Sequence, residues 1–374
     1  MRTIKKVLFV SAIASLGIVA CKSDKPEEKT PGIALENMDK TVKPTDDFFR
    51  HVNGAWLDKT EIPDDRTSWG GFAQLRKKTD ADVLGILNTA IQERDFPKVK
   101  DAQGNEIDSD QEKAVNYYET IMDTVARNKQ GKAPVMPYLS KVDEIITKKD
   151  VETYITKMAP YGGGGFYGFS VFNDLKNSSQ YAGYVGGGSL GLTRDYYVDA
   201  NVADKLVKYQ EFVAKMLQEF GDDEATAKKN AATIVAFETS LAEPMMSKEE
   251  SRDIRKIYNP MSVADLQKLA PAIDWQAHLT GVGVKDLETI IVTDLGYFKA
   301  MSDVFTKRSV ADIKLLLRWN TINNSLGSLS TDLETANWEF YAKEMRGAKK
   351  QRPRDERALG NLNGAIGEAL GKLY

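Results

Sequence analysis

Histidine and cysteine are the two reactive residue types that this sequence has least of. Among 374 residues there are only two histidines, His51 and His278, and one cysteine, Cys21. A zinc site of the His-Glu-X-X-His type needs two histidines four positions apart with a glutamate after the first, and neither histidine has such neighbours. We therefore predict no catalytic residue and no metal ligand within this chain, although composition alone does not exclude a Ser-His-Asp triad built on either histidine. A single cysteine also excludes an internal disulfide.

The sequence also lacks a large excess of either charge. It has 51 basic and 54 acidic residues, and its formal net charge is −3. Proteins that bind nucleic acid usually carry a clustered basic field, so this balance argues against nucleic acid as a partner. Acid pairs such as Asp222 and Asp223 are interpreted as solvated surface rather than as glycosidase carboxylates, because adjacent residues on a helix do not face each other.

The apolar run before Cys21 is too short to span a membrane, since a spanning helix needs roughly 20 apolar residues. Three basic residues precede it, an arrangement typical of a signal peptide, here residues 1–20. The sequence Ile-Val-Ala-Cys that ends at Cys21 resembles a lipobox. We therefore predict lipidation of Cys21 and anchoring to a bacterial membrane, with Lys22 favouring the outer membrane, at its periplasmic or surface face. The alternative is a secretory leader with a chance cysteine, and residues 21–44 are predicted to form a flexible tether.

Apolar residues at helical spacing dominate the chain from Thr45 onward and predict a mainly α protein. The first predicted helix is capped by Thr45 or Asp46, and the second begins after the polar run 64–68. Each carries an apolar stripe, formed by Phe48, Phe49, Val52, Trp56 and Leu57 in the first helix and by Phe72, Leu75, Val83, Ile86 and Ile91 in the second. Two such helices need a larger partner to bury both stripes.

One stretch in the middle of the chain has a different pattern. Residues 166–172 and 181–185 are rich in aromatic and β-branched side chains, and a polar turn segment separates them, which predicts a small β-hairpin near 166–185. The glycines that flank the hairpin are not followed by Gly-Lys-Ser/Thr, so a phosphate-binding loop is not favoured. A short strand is predicted at 289–293, and helices elsewhere, with Ser262 and Ser309 as N-caps.

Four stretches carry a resemblance to a known family. They are the pattern Asp-Asp-Phe-Phe, Val-Asn-Gly-X-Trp-Leu, Ile-Pro and Trp-Gly-X-Phe within 46–72, then Gly191–Tyr197, Tyr258–Ser262 and Gln351–Tyr374. In this order they closely resemble the neprilysin-type zinc metallopeptidases, a family that includes the endothelin-converting enzymes and the bacterial oligoendopeptidase O type. The resemblance covers the chain from about residue 46 to its last residue.

The resemblance implies a hollow, two-lobed, mostly helical peptidase of which this chain is the N-terminal, lid-bearing part. Residues 45–110 would contribute opening helices to the catalytic lobe, 111–337 would form a helical lid lobe that contains the hairpin, and 338–374 would begin the connection back to the catalytic lobe. It also implies that zinc is the cofactor of the complete enzyme, that oligopeptides are its substrates, and that the zinc-binding half lies beyond residue 374.

The same resemblance points to two arginines near the Trp-Gly-X-Phe pattern. Arg76 matches an arginine of a relative near the primed side of the substrate, where it would contact peptide carbonyl groups, and Arg66 is a weaker substitute. An Arg and an Asp that mammalian relatives carry at this corner correspond here to Ser68 and Ala73, so that carboxylate capture has no matching arginine at these positions. A surface arginine or an intralobe salt bridge is the alternative for Arg76.

These features together predict the substrate-enclosing part of a zinc endopeptidase, inactive by itself, whose partner is its own C-terminal half. The segment 354–374 has a helical apolar face and ends on an apolar pair. Natural domains rarely stop inside such a helix, so we expect the chain to be cut there and the apolar face of this helix to meet absent polypeptide. The alternative function is a non-enzymatic surface lipoprotein that binds peptides or glycans.

Overall fold

A computed structural model describes residues 32–162 and 165–374 of the chain. The chain divides into two units, Met1–Ile62 and Pro63–Tyr374. The predicted signal peptide and Cys21 lie outside the described residues, so both stay predictions.

The described part of the first unit contains one α-helix, α1 (Phe48–Lys59). Asp47 caps it by accepting a hydrogen bond from the backbone N–H of Arg50, so the predicted cap at Thr45 or Asp46 is wrong. The physical reason is a preceding turn, in which the backbone N–H groups of Asp46 and Asp47 both donate to the Lys43 carbonyl.

Two features of the first unit explain its sequence pattern. A Cβ atom on Gly54 would lie 2.4 Å from the Cβ of Asp39, so close packing accounts for the glycine in Val-Asn-Gly-X-Trp. Asp39 is held there by its backbone N–H, which donates to the His51 carbonyl over 2.8 Å. Phe48 and Phe49, which belong to the predicted apolar stripe, are exposed.

The second unit is mainly helical, as predicted. In the part that the structure describes, its α-helices are α2 (Gly71–Glu93), α3 (Asp110–Met122), α4 (Thr124–Gln130), α5 (Met136–Asp143), α6 (Lys148–Met158), α7 (Asp195–Val198), α8 (Ala203–Glu219), α9 (Glu224–Ala242), α10 (Ile254–Ile257), α11 (Val263–Leu269), α12 (Trp275–Gly281), α13 (Leu295–Lys307), α14 (Val310–Ser325), α15 (Thr331–Trp338) and α16 (Arg354–Leu373). The predicted caps Ser262 and Ser309 accept hydrogen bonds from the backbone N–H groups three residues further on. Helix α15 continues into a π-helical segment, Glu339–Glu344.

The predicted hairpin is part of a larger sheet. Strands β1 (Val99–Lys100) and β2 (Glu106–Ile107) form a separate small pair, and β3 (Tyr167–Asn173), β4 (Tyr181–Gly187), β5 (Asn259–Met261) and β6 (Ile290–Val292) form a sheet in the order β3-β4-β6-β5. Strands β3 and β4 are antiparallel, with Tyr167 opposite Gly187, whereas β4 and β6 are parallel. Strand β6, the short strand predicted near 289–293, is fully buried.

Most of the second unit packs around one large core. Its buried side chains run from Val135 to Phe340 and include Trp275 and Trp319, both completely buried. Helices α8, α9 and α14 and the four-stranded sheet supply many of these side chains. Within residues 32–162 and 165–374, none of the helices has the length and apolar character that a membrane span requires.

A smaller core joins α2, α3 and α16. It contains Val83 and Leu87 of α2, Ala114, Val115 and Tyr118 of α3, and Ala358, Leu359, Leu362 and Leu370 of α16. The expectation that the apolar face of the last helix awaits absent polypeptide is therefore wrong, because α2 and α3 already cover it. This core covers the predicted stripe of α2 only in part, since Val83 is buried whereas Phe72 is 92% exposed and Leu75 is 60% exposed.

Candidate functional site

Arg66, one of the two predicted substrate-binding arginines, lies in the loop that precedes α2. Its guanidinium donates to Glu356 of α16 over 2.5 Å and to Asp65 over 3.2 Å. The same loop is held from the other side, because the backbone N–H groups of Lys349 and Lys350 both donate to the Asp64 carbonyl. The Arg66 side chain is only 10% exposed. The ion pair of Arg66 with Glu356 therefore stabilises the position of this loop against α16.

Glu334 of α15 forms the centre of a second ionic cluster. Its carboxylate pairs with Arg354 at 2.8 Å, with Arg357 at 3.2 Å and with Arg127 at 3.5 Å. Burial lowers the pKa of Arg127, and the two neighbouring arginines act in the same direction, while Glu334 opposes them. One acid among three arginines leaves an excess of positive charge, and an excess of this kind attracts anionic groups.

Members of both clusters, Arg66 and Glu356 of the first and Glu334 and Arg357 of the second, line one cavity of about 420 Å³. Its walls come from the loop 65–67, from α15 and the π-helical segment, from the loop 346–352 and from the start of α16. Two further arginines, Arg346 and Arg352, lie on the wall and are exposed. In the described part of the chain neither of them forms an ion pair, in contrast to Arg66, Arg354 and Arg357. The cavity therefore offers arginine hydrogen-bond donors to an incoming acceptor.

Arg76, the other predicted arginine, lies elsewhere. It is on α2, its Nε donates to Asp80 over 2.6 Å, and its side chain is 58% exposed. It lines a separate cavity of about 330 Å³ together with the exposed Phe72 and Leu75. An exposed ion pair of this kind contributes little to stability, so the remaining donors of Arg76 stay accessible to other groups. The structure does not bring Arg66 and Arg76 into one cavity.

The two histidines are in different environments. His51 places Nδ1 2.7 Å from the Val42 carbonyl. His278 is buried with Nδ1 2.8 Å from Thr156 Oγ1, and burial lowers its pKa to about 4. Among the described residues no group of histidine, cysteine, aspartate or glutamate side chains has the arrangement of a metal site. These residues therefore do not fit the zinc that the family resemblance implies.

The Gly-X-Ser-X-Gly motif that a Ser-His-Asp triad would need was expected to be absent, but one match occurs at the end of β4. The residues Gly187–Gly191 read Gly-Gly-Ser-Leu-Gly and fit the Gly-X-Ser-X-Gly spacing of a serine nucleophile. That motif needs a strand that turns sharply into a helix, whereas β4 ends at Gly187 and α7 begins only at Asp195. The hydrogen bonds of His51 and His278 go to groups other than Ser189. The geometry therefore does not support the Ser-His-Asp alternative.

The Glu334 cluster was missed because its members are far apart in the sequence. Arg354 and Arg357 follow Glu334 by 20 and 23 positions, and Arg127 comes from α4. The one available signal was the Gln-Arg-Pro-Arg stretch at 351–354, which belongs to the family pattern. An isolated glutamate on a predicted helix gives no indication of burial, so the centre of the cluster had no signal of its own.

Comparisons with known proteins agree with the resemblance. The family model described as Peptidase family M13 matches residues 44–374. Endothelin-converting enzyme 1 of Mus musculus is 27% identical over 401 aligned residues, which cover 99% of this chain and 50% of that protein. Neprilysin-1 of Caenorhabditis elegans is 24% identical over 91% of this chain and 47% of that protein.

A solved structure gives the same result. The zinc metalloprotease ZMP1 of Mycobacterium tuberculosis, solved with an inhibitor, superposes with a TM-score of 0.81 at 28% identity, over 92% of this chain and 51% of that one. The chain thus spans about half the length of the relatives that it matches. Because the family model covers most of the sequence and the mainly helical fold agrees with a solved relative, the chain belongs to peptidase family M13.

Proposed function

We propose that this chain is the N-terminal, substrate-enclosing part of a zinc-dependent endopeptidase that acts on oligopeptides. The family match supports a metallopeptidase, and relatives of about twice the length carry the names of converting enzymes and of a zinc metalloprotease. The observation that supports a division of labour is the coverage, because the chain matches 50% of endothelin-converting enzyme 1 and 51% of the ZMP1 chain. The zinc-binding half would then be supplied by polypeptide beyond this chain.

In this proposal the chain binds and encloses peptide rather than cleaving it. Zinc bound by the other half would supply the Lewis acid and the activated water of the hydrolysis. In the 420 Å³ cavity, Arg346 and Arg352 would donate to carbonyl or carboxylate oxygens of the peptide, because arginine presents several donors in a fixed planar group. Arg66 would keep the cavity wall in place through Glu356.

Helix α2 would provide the contact with the catalytic half. Phe72 and Leu75 are exposed on this helix and flank the 330 Å³ cavity. Covering two such side chains contributes roughly 1.5–3 kcal/mol each when they are fully buried. Arg76, beside them, would reach either the partner half or the peptide. This surface replaces α16 as the place where the proposed halves meet.

The proposal for localisation rests on sequence alone. Residues 1–20 would direct export, and acyl chains on Cys21 would hold the protein at a bacterial membrane, with Lys22 favouring the outer membrane. The Cys21→Ala variant should then move from the membrane fraction to the soluble fraction. Unchanged membrane association of that variant would refute the anchor.

The peptidase proposal is tested by adding the other half. The 374-residue chain should not cleave a peptide library in the presence of zinc, whereas its co-expression with the polypeptide that follows it in the reading frame should yield zinc-dependent cleavage. Cleavage by the chain alone would contradict the assignment of the zinc ligands to other polypeptide. The family match gives no support to the alternative of a non-enzymatic peptide- or glycan-binding lipoprotein.

A further inference from the structure

A third cavity, of about 920 Å³, adjoins the Gly191–Tyr197 stretch of the family pattern. The segment 188–196 forms one wall, Met245 and Lys248 after α9 form another, and Tyr341, Met345 and Arg346 complete it. Tyr341 and Arg346 also line the 420 Å³ cavity. The two cavities therefore share part of the wall that the π-helical segment provides.

The wall at Gly191 is fixed by a buried carboxylate. Glu238 of α9 is completely buried, and it accepts hydrogen bonds from the Gly191 backbone N–H at 2.9 Å, from the Tyr197 hydroxyl at 2.9 Å and from the Tyr209 hydroxyl at 3.2 Å. The Leu192 backbone N–H donates to the Tyr197 hydroxyl over 3.0 Å. These bonds hold the loop in one position, so the cavity is formed before any ligand arrives.

The charges on the cavity wall are not balanced. Its basic residues are Arg194, Lys248 and Arg346, and its acidic residues are Asp195 and Asp199. Asp195 pairs with Lys248 at 2.5 Å. Asp199 accepts hydrogen bonds from the backbone and the side chain of Asn201. In residues 32–162 and 165–374, Arg194 and Arg346 are thus left without an ion pair.

Arg194 is the more unusual of these two arginines. Its Nε is buried and has no hydrogen-bond partner in the described part of the chain, although buried donors are normally paired. Arg194 lowers the pKa of Glu250, but the hydrogen bond from Lys256 has the largest effect on that pKa and the charge of Arg194 the smallest. Glu250 is itself paired with Lys256 at 2.9 Å. Arg194 therefore has donors that no protein acceptor uses.

The rest of the cavity wall is apolar, so it favours ligands that carry an apolar group next to the anionic group. Leu190, Leu192 and Tyr196 lie along the loop wall, and Met245 and Met345 lie on the other walls. Methionine side chains are flexible and adapt to different apolar partners. A ligand that satisfies both kinds of wall has a carboxylate next to an apolar side chain.

We propose that this cavity binds an acidic segment of an oligopeptide, with its carboxylate at Arg194 and Arg346 and an adjacent apolar side chain between Met245 and Met345. Because Arg346 lines both cavities, the bound segment continues toward the 420 Å³ cavity. The choice of a peptide as ligand rests on the proposed function, whereas the requirement for an anion rests on the charges of the wall. The cavity holds acidic peptides inside the space that the proposed peptidase encloses. It contains none of the groups that cleave the peptide bond.

The test is fluorescence anisotropy with the 374-residue chain and labelled hexapeptides. One peptide has an apolar residue beside glutamate and a free C-terminal carboxylate, and its matched control has glutamine and a C-terminal amide. The acidic peptide should bind at least about tenfold more tightly at low ionic strength, since hydrogen bonds between charged groups are stronger than neutral ones. Its affinity should fall as salt is added.

Three single variants locate the site. Arg346→Gln and Arg194→Gln should each weaken binding of the acidic peptide about tenfold, and a thermal melt of each checks that the fold is retained. The matched control is Arg255→Gln, at an exposed arginine that is paired with Asp253 and lines neither cavity, and it should bind as the wild type does. Equal binding of the two peptides, or wild-type affinity in either Arg194→Gln or Arg346→Gln, would overturn the proposal.

The result is independent of cleavage. Selective binding of the acidic peptide without peptidase activity in the co-expressed protein would remove the proposed function and leave this site in place. Cleavage by the co-expressed protein without selective binding of the acidic peptide would support the proposed function and refute this site.

Discussion

Glu238 gives the sharpest prediction because it is a carboxyl group buried without a cation. Burial raises its pKa from 4.5 to about 7, and the hydrogen bonds from Gly191, Tyr197 and Tyr209 lower it only in part. The unfolded chain releases the Glu238 proton at lower pH than the folded chain does. Between these two pKa values the folded state binds more protons, so the free energy of unfolding falls as the pH rises.

The size of the effect follows from the two pKa values. One pKa unit corresponds to about 1.4 kcal/mol, so the whole shift is worth about 3 kcal/mol, of which about 2 kcal/mol falls between pH 5 and pH 7.5. Glu238→Gln removes the titrating group. The variant loses the acceptor for the Tyr197 hydroxyl, which costs about 1–3 kcal/mol at acidic pH. The difference in stability between wild type and variant should therefore shrink by about 2 kcal/mol from pH 5 to pH 7.5.

Urea unfolding followed by tryptophan fluorescence at several pH values measures this difference. Trp319 is a suitable reporter, because its indole N–H donates to the Tyr209 hydroxyl over 2.8 Å beside Glu238. Glu144→Gln, at an exposed position, serves as the matched control and should leave the pH dependence unchanged. If the stability curves of wild type and Glu238→Gln run parallel from pH 5 to pH 7.5, Glu238 does not titrate in this range and the reasoning is refuted.

Three other experiments test the contacts described above. Gly191→Ala would place a Cβ 1.7 Å from the Tyr209 hydroxyl oxygen, so we expect a loss of about 1–3 kcal/mol in urea unfolding, whereas Gly364→Ala, which meets no neighbouring atom, should be neutral or stabilising. Glu334→Gln removes the acid from three arginines and should cost about 3 kcal/mol; an unchanged melting temperature would show that the cluster is solvated. Phe72→Ser combined with Leu75→Ser should change the stability of this chain by less than about 1 kcal/mol, yet abolish co-purification with the C-terminal polypeptide. Undiminished co-purification would place the contact elsewhere.

The local elements were predictable where short-range chemistry determines them. The caps Ser262 and Ser309 were predictable because a serine three residues before an acidic residue is a strong signal for the start of a helix. The hairpin of β3 and β4 was predictable because a polar turn segment separates two segments rich in aromatic and β-branched residues. Strand β5 was missed because Pro260 removes a backbone donor, which a strand tolerates only at an edge such as the one that β5 occupies. The helical pattern extends through α15, but the change to π geometry after Trp338 has no sequence signal that we recognise.

Tertiary packing was less predictable, because an apolar stripe shows that a face can be buried but not which neighbour buries it. The apolar faces of α2 and α16 have similar patterns, yet α3 and α2 cover Leu362 while Phe72 stays exposed. The same limit applies to charge. Arg66 and Arg76 were both identified from the family pattern, but the Arg66 side chain is only 10% exposed and its partner Glu356 lies 290 residues away, whereas Arg76 is 58% exposed and pairs with Asp80 on the same helix.

The π-helical segment 339–344 has a consequence for how this part of the family can change. A wider turn holds an additional residue compared with a regular α-turn, so the loss of one residue there would restore ordinary helical geometry. The wide turn absorbs the additional residue locally, so the side chains that follow would keep nearly the same direction around the helix axis. Met345, on the wall of the 920 Å³ cavity, and Arg346, on the wall of both the 920 Å³ and the 420 Å³ cavity, would therefore stay on those walls. The segment can thus lose one residue without a change in which side chains line the two cavities.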